Sequence, residues 1–309
     1  MSKNLNSFNE IVINWHITEV CNYSCEYCFA KWGRPNELHR QPFAVENLIQ
    51  ELASYFFSED CSFKKVIPFR DVRINFAGGE PFILGRRFID IIYLAKSYGF
   101  KVSIITNGHF LYNNIDTVPN DLFDMVGISF DSQNVGVSKA IGRVDRKGQV
   151  LSKDNILALS EWVRADNNKS KFKVNTVVNQ LNVEEDFSEF IKVLSPDKWK
   201  LFQVKPFNGH NLLINDEQFR AFVQRHCETG VTIFDETNDE MTESYLMIDP
   251  KGRFYQSSTE STESGHYSYS DVITEVGAER AIKQIRFSAN KYLERYVPNN
   301  DIVINGLAL

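Results

Sequence analysis

Three of the five cysteines in this 309-residue chain fall within eight residues, Cys21-Asn22-Tyr23-Ser24-Cys25-Glu26-Tyr27-Cys28. Three soft sulfurs on one short loop can converge on a single inorganic centre, so the chain must fold in a way that presents this loop. A structural zinc site takes four protein ligands, and iron–sulfur clusters usually take four cysteines. Cys61 and Cys227 stand alone, and three ligands to a four-iron cluster would leave one iron open to a substrate or cofactor. Two plainer readings stand beside this one: a zinc knuckle completed by His16 or His39, and buried structural thiols.

The remainder of the composition sets bounds. Apolar content of 43% and charged content of 24% are those of a globular chain, with room for one large α/β domain or two small ones. A net charge of −6 and the lack of a Lys/Arg block argue against binding a nucleic-acid polymer. No apolar run reaches the ~18 residues of a membrane span, and the first ten residues lack the apolar core of a signal peptide. Odd, bunched cysteines do not suggest a secreted disulfide scaffold, so a cytoplasmic location is expected.

Along the chain, Ile11–Ile17 reads as a strand leading into the cysteines, and Pro42 opens an amphipathic helix carrying Val45, Leu48, Ile49, Leu52 and Phe56. Val72, Ile74 and Phe76 alternate as a second strand ending in Gly78-Gly79-Glu80-Pro81. Strands are further expected at 101–106, 125–130, 171–179 and 199–204, with helices at 86–98, 153–165 and 184–194 between them. Six strands alternating with helices predict parallel βα units, and polar motifs just past strand ends fall on the face where such folds build active sites. Beyond residue 205, helices near 215–228 and 277–288 and a hairpin near 245–256 are expected to cap the site. The expected boundaries are an arm at 1–10, a barrel at 11–204, a capping extension at 205–296 and a tail at 297–309.

Taken alone, Gly-Gly-Glu-Pro is most often a turn. Following a Cys-x3-Cys-x2-Cys loop with Phe29 behind it, the pair resembles the radical S-adenosylmethionine (SAM) superfamily. Longer runs are similar to the viperin family: Asn14-Trp15-His16, Asn75 to Phe82, Ser103 to Gly108, Ile128 to Ser132, Ile141-Gly142-Arg143, Phe172 to Asn179, Asn182 to Asp186, Trp199 to Gln203, Glu243 to Leu246, and Val276-Gly277. The resemblance spans roughly residues 11–296. It implies an α/β fold, a partial (βα)6 radical SAM barrel with a C-terminal extension over the active site. It implies a [4Fe–4S] cluster held by Cys21, Cys25 and Cys28, with SAM chelating the open iron through its amine and carboxylate.

The implied activity is antiviral. SAM is cleaved to a 5′-deoxyadenosyl radical that takes hydrogen from C4′ of a nucleoside triphosphate. Loss of the 3′-hydroxyl with uptake of one electron and one proton gives the 3′-deoxy-3′,4′-didehydro nucleotide. CTP or UTP is favoured, GTP remains a candidate, and a flavodoxin or ferredoxin is the expected electron donor. By resemblance, Ala77 (through backbone), Gly78, Gly79, Glu80, Asn107 and Ser129 contact SAM. Asn14, Arg143, Lys173, Asn175, Lys198 and Lys200 contact the triphosphate, and Tyr245 sits at the reacting centre.

The residues themselves are consistent with that assignment. An acidic protein needs a focused set of cations to hold a triphosphate. Lys173 and Asn175 are in phase on one strand, as are Lys198 and Lys200 on the next. Solvated surface lysines are the plainer reading of each, and a core tyrosine that of Tyr245; His16 and His226 read as structural or surface groups. Several features depart from vertebrate viperins. Lys198 replaces an arginine, Val204–Asn211 does not match the base-contacting loop, and 256–271 lacks basic residues, for which His266 and Tyr267 could substitute. No amphipathic N-terminal membrane helix precedes the barrel, and the C-terminal tryptophan is missing. The rivals are a radical SAM enzyme acting on a peptide and a non-catalytic zinc or iron–sulfur protein that binds a partner.

Overall fold

The computed structural model describes residues 9–30, 36–165, 169–206, 210–257 and 267–295. The arm before residue 9, His266 and the tail after 295 lie outside them. The first strand, β1 (Glu10–Thr18), places Ile11, Ile13, Trp15 and Ile17 on one face, each fully buried. Val12, Asn14 and His16 alternate onto the other, which lines a cavity. The pattern repeats in β2 (Asp71–Gly78), β3 (Lys101–Thr106), β4 (Met125–Ser129), β5 (Lys171–Val178) and β6 (Lys198–Gln203). Apolar residues on one face meet helices; the other face, which carries most of the polar side chains alongside Val12, Ile105, Met125, Val177 and Phe202, meets the cavity. Two-residue periodicity thus sorts each strand into a core half and a site half.

The helices follow the same logic. α1 (Pro42–Phe56), with proline in its first turn, buries Val45, Leu48, Ile49, Leu52 and Phe56. α2 (Arg86–Ser97) buries Phe88, Ile91, Ile92 and Ala95. α3 (His109–Asn113), α4 (Val135–Ile141), α5 (Lys153–Arg164), α6 (Ser188–Leu194) and α7 (Asp216–Arg225) follow. Capping boxes start α5 at Ser152 and α7 at Asn215, satisfying first-turn N–H groups that would otherwise lack partners.

The six expected strands are present and pair in sequence order, all parallel. The sheet is larger than six. β7 (Ile233–Glu236) adds in parallel beyond β6. On the far side of β1 lie β8 (Leu246–Ile248), β9 (Arg253–Ser257) and β10 (Tyr267–Val272). The order is β10-β9-β8-β1-β2-β3-β4-β5-β6-β7, an open ten-stranded sheet. The C-terminal region thus flanks both sides of the parallel run as well as supplying α8 (Ile273–Val276), α9 (Ala278–Ile282) and α10 (Ala289–Glu294). Among the described residues no helix is long and apolar enough to cross a membrane.

Candidate active site

The inner face of the sheet encloses a cavity of about 320 Å³. At one end lie Cys21, Cys25 and Cys28, on the loop between β1 and α1. Tyr23 N–H donates to the Cys21 sulfur at 3.4 Å, and Cys28 N–H to the Cys25 carbonyl at 3.1 Å. The loop seats on Gly142, the left-handed cap of α4, whose added Cβ would sit 2.5 Å from the Ser24 carbonyl oxygen. Burial pushes the Cys21 thiol up to about 12 and the Cys25 thiol up to about 11. Thiolates become tenable in such a place when a cationic metal centre faces them. No three His, Cys, Asp or Glu side chains among the described residues are grouped to hold a single metal ion. His39, one of the two histidines that could complete a zinc knuckle, is bonded to Glu37 at 2.7 Å. A four-iron cluster asks for a different arrangement, one thiolate per iron.

Opposite the cysteines, the β2 terminus supplies Ala77, Gly78 and Gly79. Gly78 has φ of +140°, and a Cβ on Gly79 would lie 2.2 Å from the Val20 carbonyl oxygen. Only glycine lets this turn lie against the cysteine loop. Glu80 departs from its expected role. It does not line the cavity: one oxygen accepts from Thr106 Oγ1 at 2.7 Å and Phe82 N–H at 3.1 Å, the other from Asn107 N–H at 2.8 Å. Burial pushes its carboxyl up to about 7, against those three hydrogen bonds. It braces one turn against the next. Asn107 in turn donates to Asn22 at 2.7 Å and to the Cys21 sulfur at 3.8 Å, tying the β3 terminus to the cysteine loop.

Arg143 sits apart from the lysines with which it was grouped. Its guanidinium pairs with buried Asp131 at 3.2 Å and donates to the Ser129 carbonyl at 2.7 Å. It reaches the Cys25 sulfur at 3.7 Å and lies over the Tyr23 ring. The structure therefore places it at the cysteine end, with Ser129.

The expected lysines do come together. Register sets Lys173 beside Lys198 and Asn175 beside Lys200, all facing the cavity. Arg73 joins them, held by Glu10 at 2.7 Å and donating to Ser103 at 2.8 Å. Burial, then repulsion from Lys200, Arg73 and Lys198, drives Lys173 well below the ordinary lysine range. Burial brings Lys200 down to about 7, with Arg295 adding to the effect and Glu236 opposing it. Such a concentration of like charge in a buried wall is relieved by a bound polyanion. Ser103 donates to Asn75, Asn75 to Asn14 and Asn14 to the Leu246 carbonyl, a polar chain that fixes this wall. Asn175 Oδ1 is buried and has no hydrogen-bond partner among the described residues.

Tyr245, just before β8, reaches into the cavity and donates to Glu236 on β7. Arg73, Glu236 and Arg295 escaped the sequence reading. Arg73 could have been found, since it is two residues ahead of Asn75 and four ahead of Ala77 on one face. Glu236 and Arg295 meet only through the sheet topology. His16 is buried rather than on the surface, packed edge-on to Phe29 and Tyr255 on the cavity wall. His226 is structural as expected, accepting from Phe187 N–H at 2.9 Å. Tyr267 bonds the Phe29 carbonyl at 3.2 Å beside the cysteine loop.

Comparison with known proteins agrees with this geometry. A profile described as the radical SAM superfamily matches residues 15–193. An S-adenosylmethionine-dependent nucleotide dehydratase of Pseudoalteromonas ulvae is 43% identical, covering 96% of each chain. One from Psychrobacter lutiphocae is 41% identical over 93% of this chain and 95% of its own. The RSAD2 nucleotide dehydratase of Oncorhynchus mykiss is 30% identical over 92% and 78%. Among solved structures, native anSMEcpe with bound AdoMet superposes with a TM-score of 0.60 at 14% identity, over 93% of this chain and 82% of that one. Streptococcus suis SuiB bound to S-adenosylmethionine gives 0.57 at 12%, over 88% and 65%. These two similarities establish the fold alone. The superfamily's cofactors are a [4Fe–4S] cluster and SAM, and a three-thiol loop facing a glycine turn fits both. The chain belongs to the radical SAM superfamily and, within it, to the family of S-adenosylmethionine-dependent nucleotide dehydratases.

Proposed function

We propose that this enzyme dehydrates a nucleoside triphosphate to its 3′-deoxy-3′,4′-didehydro analogue, with CTP and UTP ahead of GTP as substrates. The observation that carries the reading is a single cavity with three thiols at one end and four basic side chains at the other, Arg73 and Lys200 buried and Lys173 and Lys198 half-buried. Cys21, Cys25 and Cys28 would each hold one iron. The Gly78–Gly79 backbone and Asn107 would lie along the SAM methionine, and Arg143 beside Ser129 would take its carboxylate. When bound, these cofactors supply the one-electron chemistry that removes a hydrogen atom from the substrate.

The protein's own groups do the remaining work. The four cations grip the triphosphate and so fix the sugar between them and the cysteine loop. The unpartnered Asn175 carbonyl oxygen suits a ribose hydroxyl, with Asn14 close by in the same wall. Tyr245 would give the proton with which the 3′-oxygen leaves as water, and the electron would come from a flavodoxin- or ferredoxin-class donor. The modified nucleotide would act against viral polymerases. Lower phage yield in cells making the wild type than in cells making Cys25→Ala tests that role; equal yields would refute it.

The direct test is anaerobic incubation of the reconstituted enzyme with dithionite, SAM and CTP, UTP, GTP or ATP separately. One nucleotide should accelerate release of 5′-deoxyadenosine and lose the mass of water. A peptide substrate, the rival reading, predicts no response to any of the four.

A further inference from the structure

Glu236 is fully enclosed, and it is shared. One oxygen takes Lys200 Nζ and Arg295 Nε, the latter at 2.7 Å; the other accepts the Tyr245 hydroxyl. Lys200 Nζ also lies 3.1 Å from the Tyr245 oxygen. Arg295, just after α10, covers the Tyr245 ring with its guanidinium 3.3 Å from the centroid, and donates to the Ser244 carbonyl at 2.8 Å. Four side chains from four separate places in the sequence thus close one polar network. It also bridges a gap that no backbone pairing spans, because β7 is the last strand on one side while Tyr245 leads into β8 beyond β1.

We propose that Glu236, steadied by Arg295, is the positioning residue that holds the Tyr245 phenol and the Lys200 ammonium side by side against the bound nucleotide. The consequence for the reaction rests on the dehydratase reading above. Lys200 takes a phosphate, and Tyr245 turns its one hydroxyl proton from Glu236 to the departing 3′-oxygen, the phenolate left behind being stabilised by Lys200 at 3.1 Å and reprotonated from solvent. Their mutual placement therefore decides whether a nucleotide that has lost its hydrogen goes on to product. Burial works against the Glu236 carboxylate, but Arg295 and Lys200 together hold it down to about 2, so it is an anion throughout the working range. A neutral isostere could neither hold Lys200 charged nor accept from phenol and guanidinium together.

Two measurements test this. In the first, Glu236→Gln and Glu236→Asp are compared with wild type for 5′-deoxyadenosine released per dehydrated nucleotide formed. Glu236→Gln should raise that ratio by roughly fivefold or more, Glu236→Asp by less, with iron content and SAM binding unchanged. In a Tyr245→Phe background the same substitution should change the ratio much less than in wild type, since only its hold on Lys200 is left to lose. An unchanged ratio in the wild-type background, or an equal change in both backgrounds, would overturn the proposal. If Glu236→Gln fails to take up iron, Arg295→Gln gives the same readout. The second measurement needs no turnover: the near-ultraviolet difference spectrum, wild type minus Tyr245→Phe. Donation to a carboxylate red-shifts a phenol, and this shift should vanish in Glu236→Gln. A retained shift refutes the network even where no nucleotide reacts, which separates its failure from that of the dehydratase reading.

Discussion

Lys200 is a buried amine with its acid dissociation brought down to about 7, and this has a pH consequence with a definite sign. A triphosphate needs the ammonium form, and binding raises the amine's affinity for its proton. Nucleotide affinity is therefore full below pH 7 and weakens as pH rises above it, by up to about tenfold per unit. Calorimetry in buffers of different ionisation enthalpy should record proton uptake on binding near pH 8. For stability the sign is opposite: the folded state holds Lys200 neutral where the unfolded chain still protonates it. Its contribution therefore grows more favourable from about pH 7 to about 10.4. Lys173→Ala should weaken nucleotide binding about 10- to 100-fold, the range of a lost charge-assisted contact, while SAM binding persists. Equal loss of both would indicate a disrupted fold.

Strand periodicity explains which site residues the sequence could reveal. On β5 and β6, Lys173, Asn175, Lys198 and Lys200 were legible because two-residue alternation determines the face, and neighbouring parallel strands did the rest. Glu80 shows where a motif falls short: the Gly-Gly turn touches the cavity, but the next residue faces inward to Thr106 and Asn107. Arg143 lies at the cysteine end because α4 and its Gly142 cap deliver it under Cys25, something no spacing in the sequence encodes. The loop-to-cap contact is testable. Gly142→Ala forces a Cβ to within 2.5 Å of the Ser24 oxygen in a left-handed backbone. The variant should fold but lose most of its iron on reconstitution; full iron content would show that the loop does not need this seat. Cys25→Ala should lose the brown absorbance outright.

At the scale of the whole molecule, the sequence conveyed the parallel βα core but not how far the sheet continues. β7 through β10 are short, and their apolar residues carry little periodicity, so only pairing partners reveal where they go. β8 covers the edge of β1, whose Ile13 and Trp15 pair in register with Leu246 and Ile248. A fragment ending at residue 204 would expose that edge and lose Glu236, Tyr245 and Arg295. We expect it not to fold cooperatively, whereas the full chain should unfold in one transition by circular dichroism and by tryptophan fluorescence. Separate transitions would show two independent units.

The most direct test of the account is the fate of one hydrogen. CTP and UTP carrying deuterium at C4′ should each be incubated with reduced, cluster-loaded enzyme and SAM, and the 5′-deoxyadenosine weighed. The account predicts that, with whichever of them serves as substrate, the 5′-deoxyadenosine gains one deuterium and the nucleotide loses its deuterium together with its 3′-hydroxyl, ending at the mass of the unlabelled nucleotide less water. Unlabelled 5′-deoxyadenosine alongside a dehydrated nucleotide would contradict hydrogen removal at C4′, and 5′-deoxyadenosine with no change in either nucleotide would contradict the pyrimidine assignment.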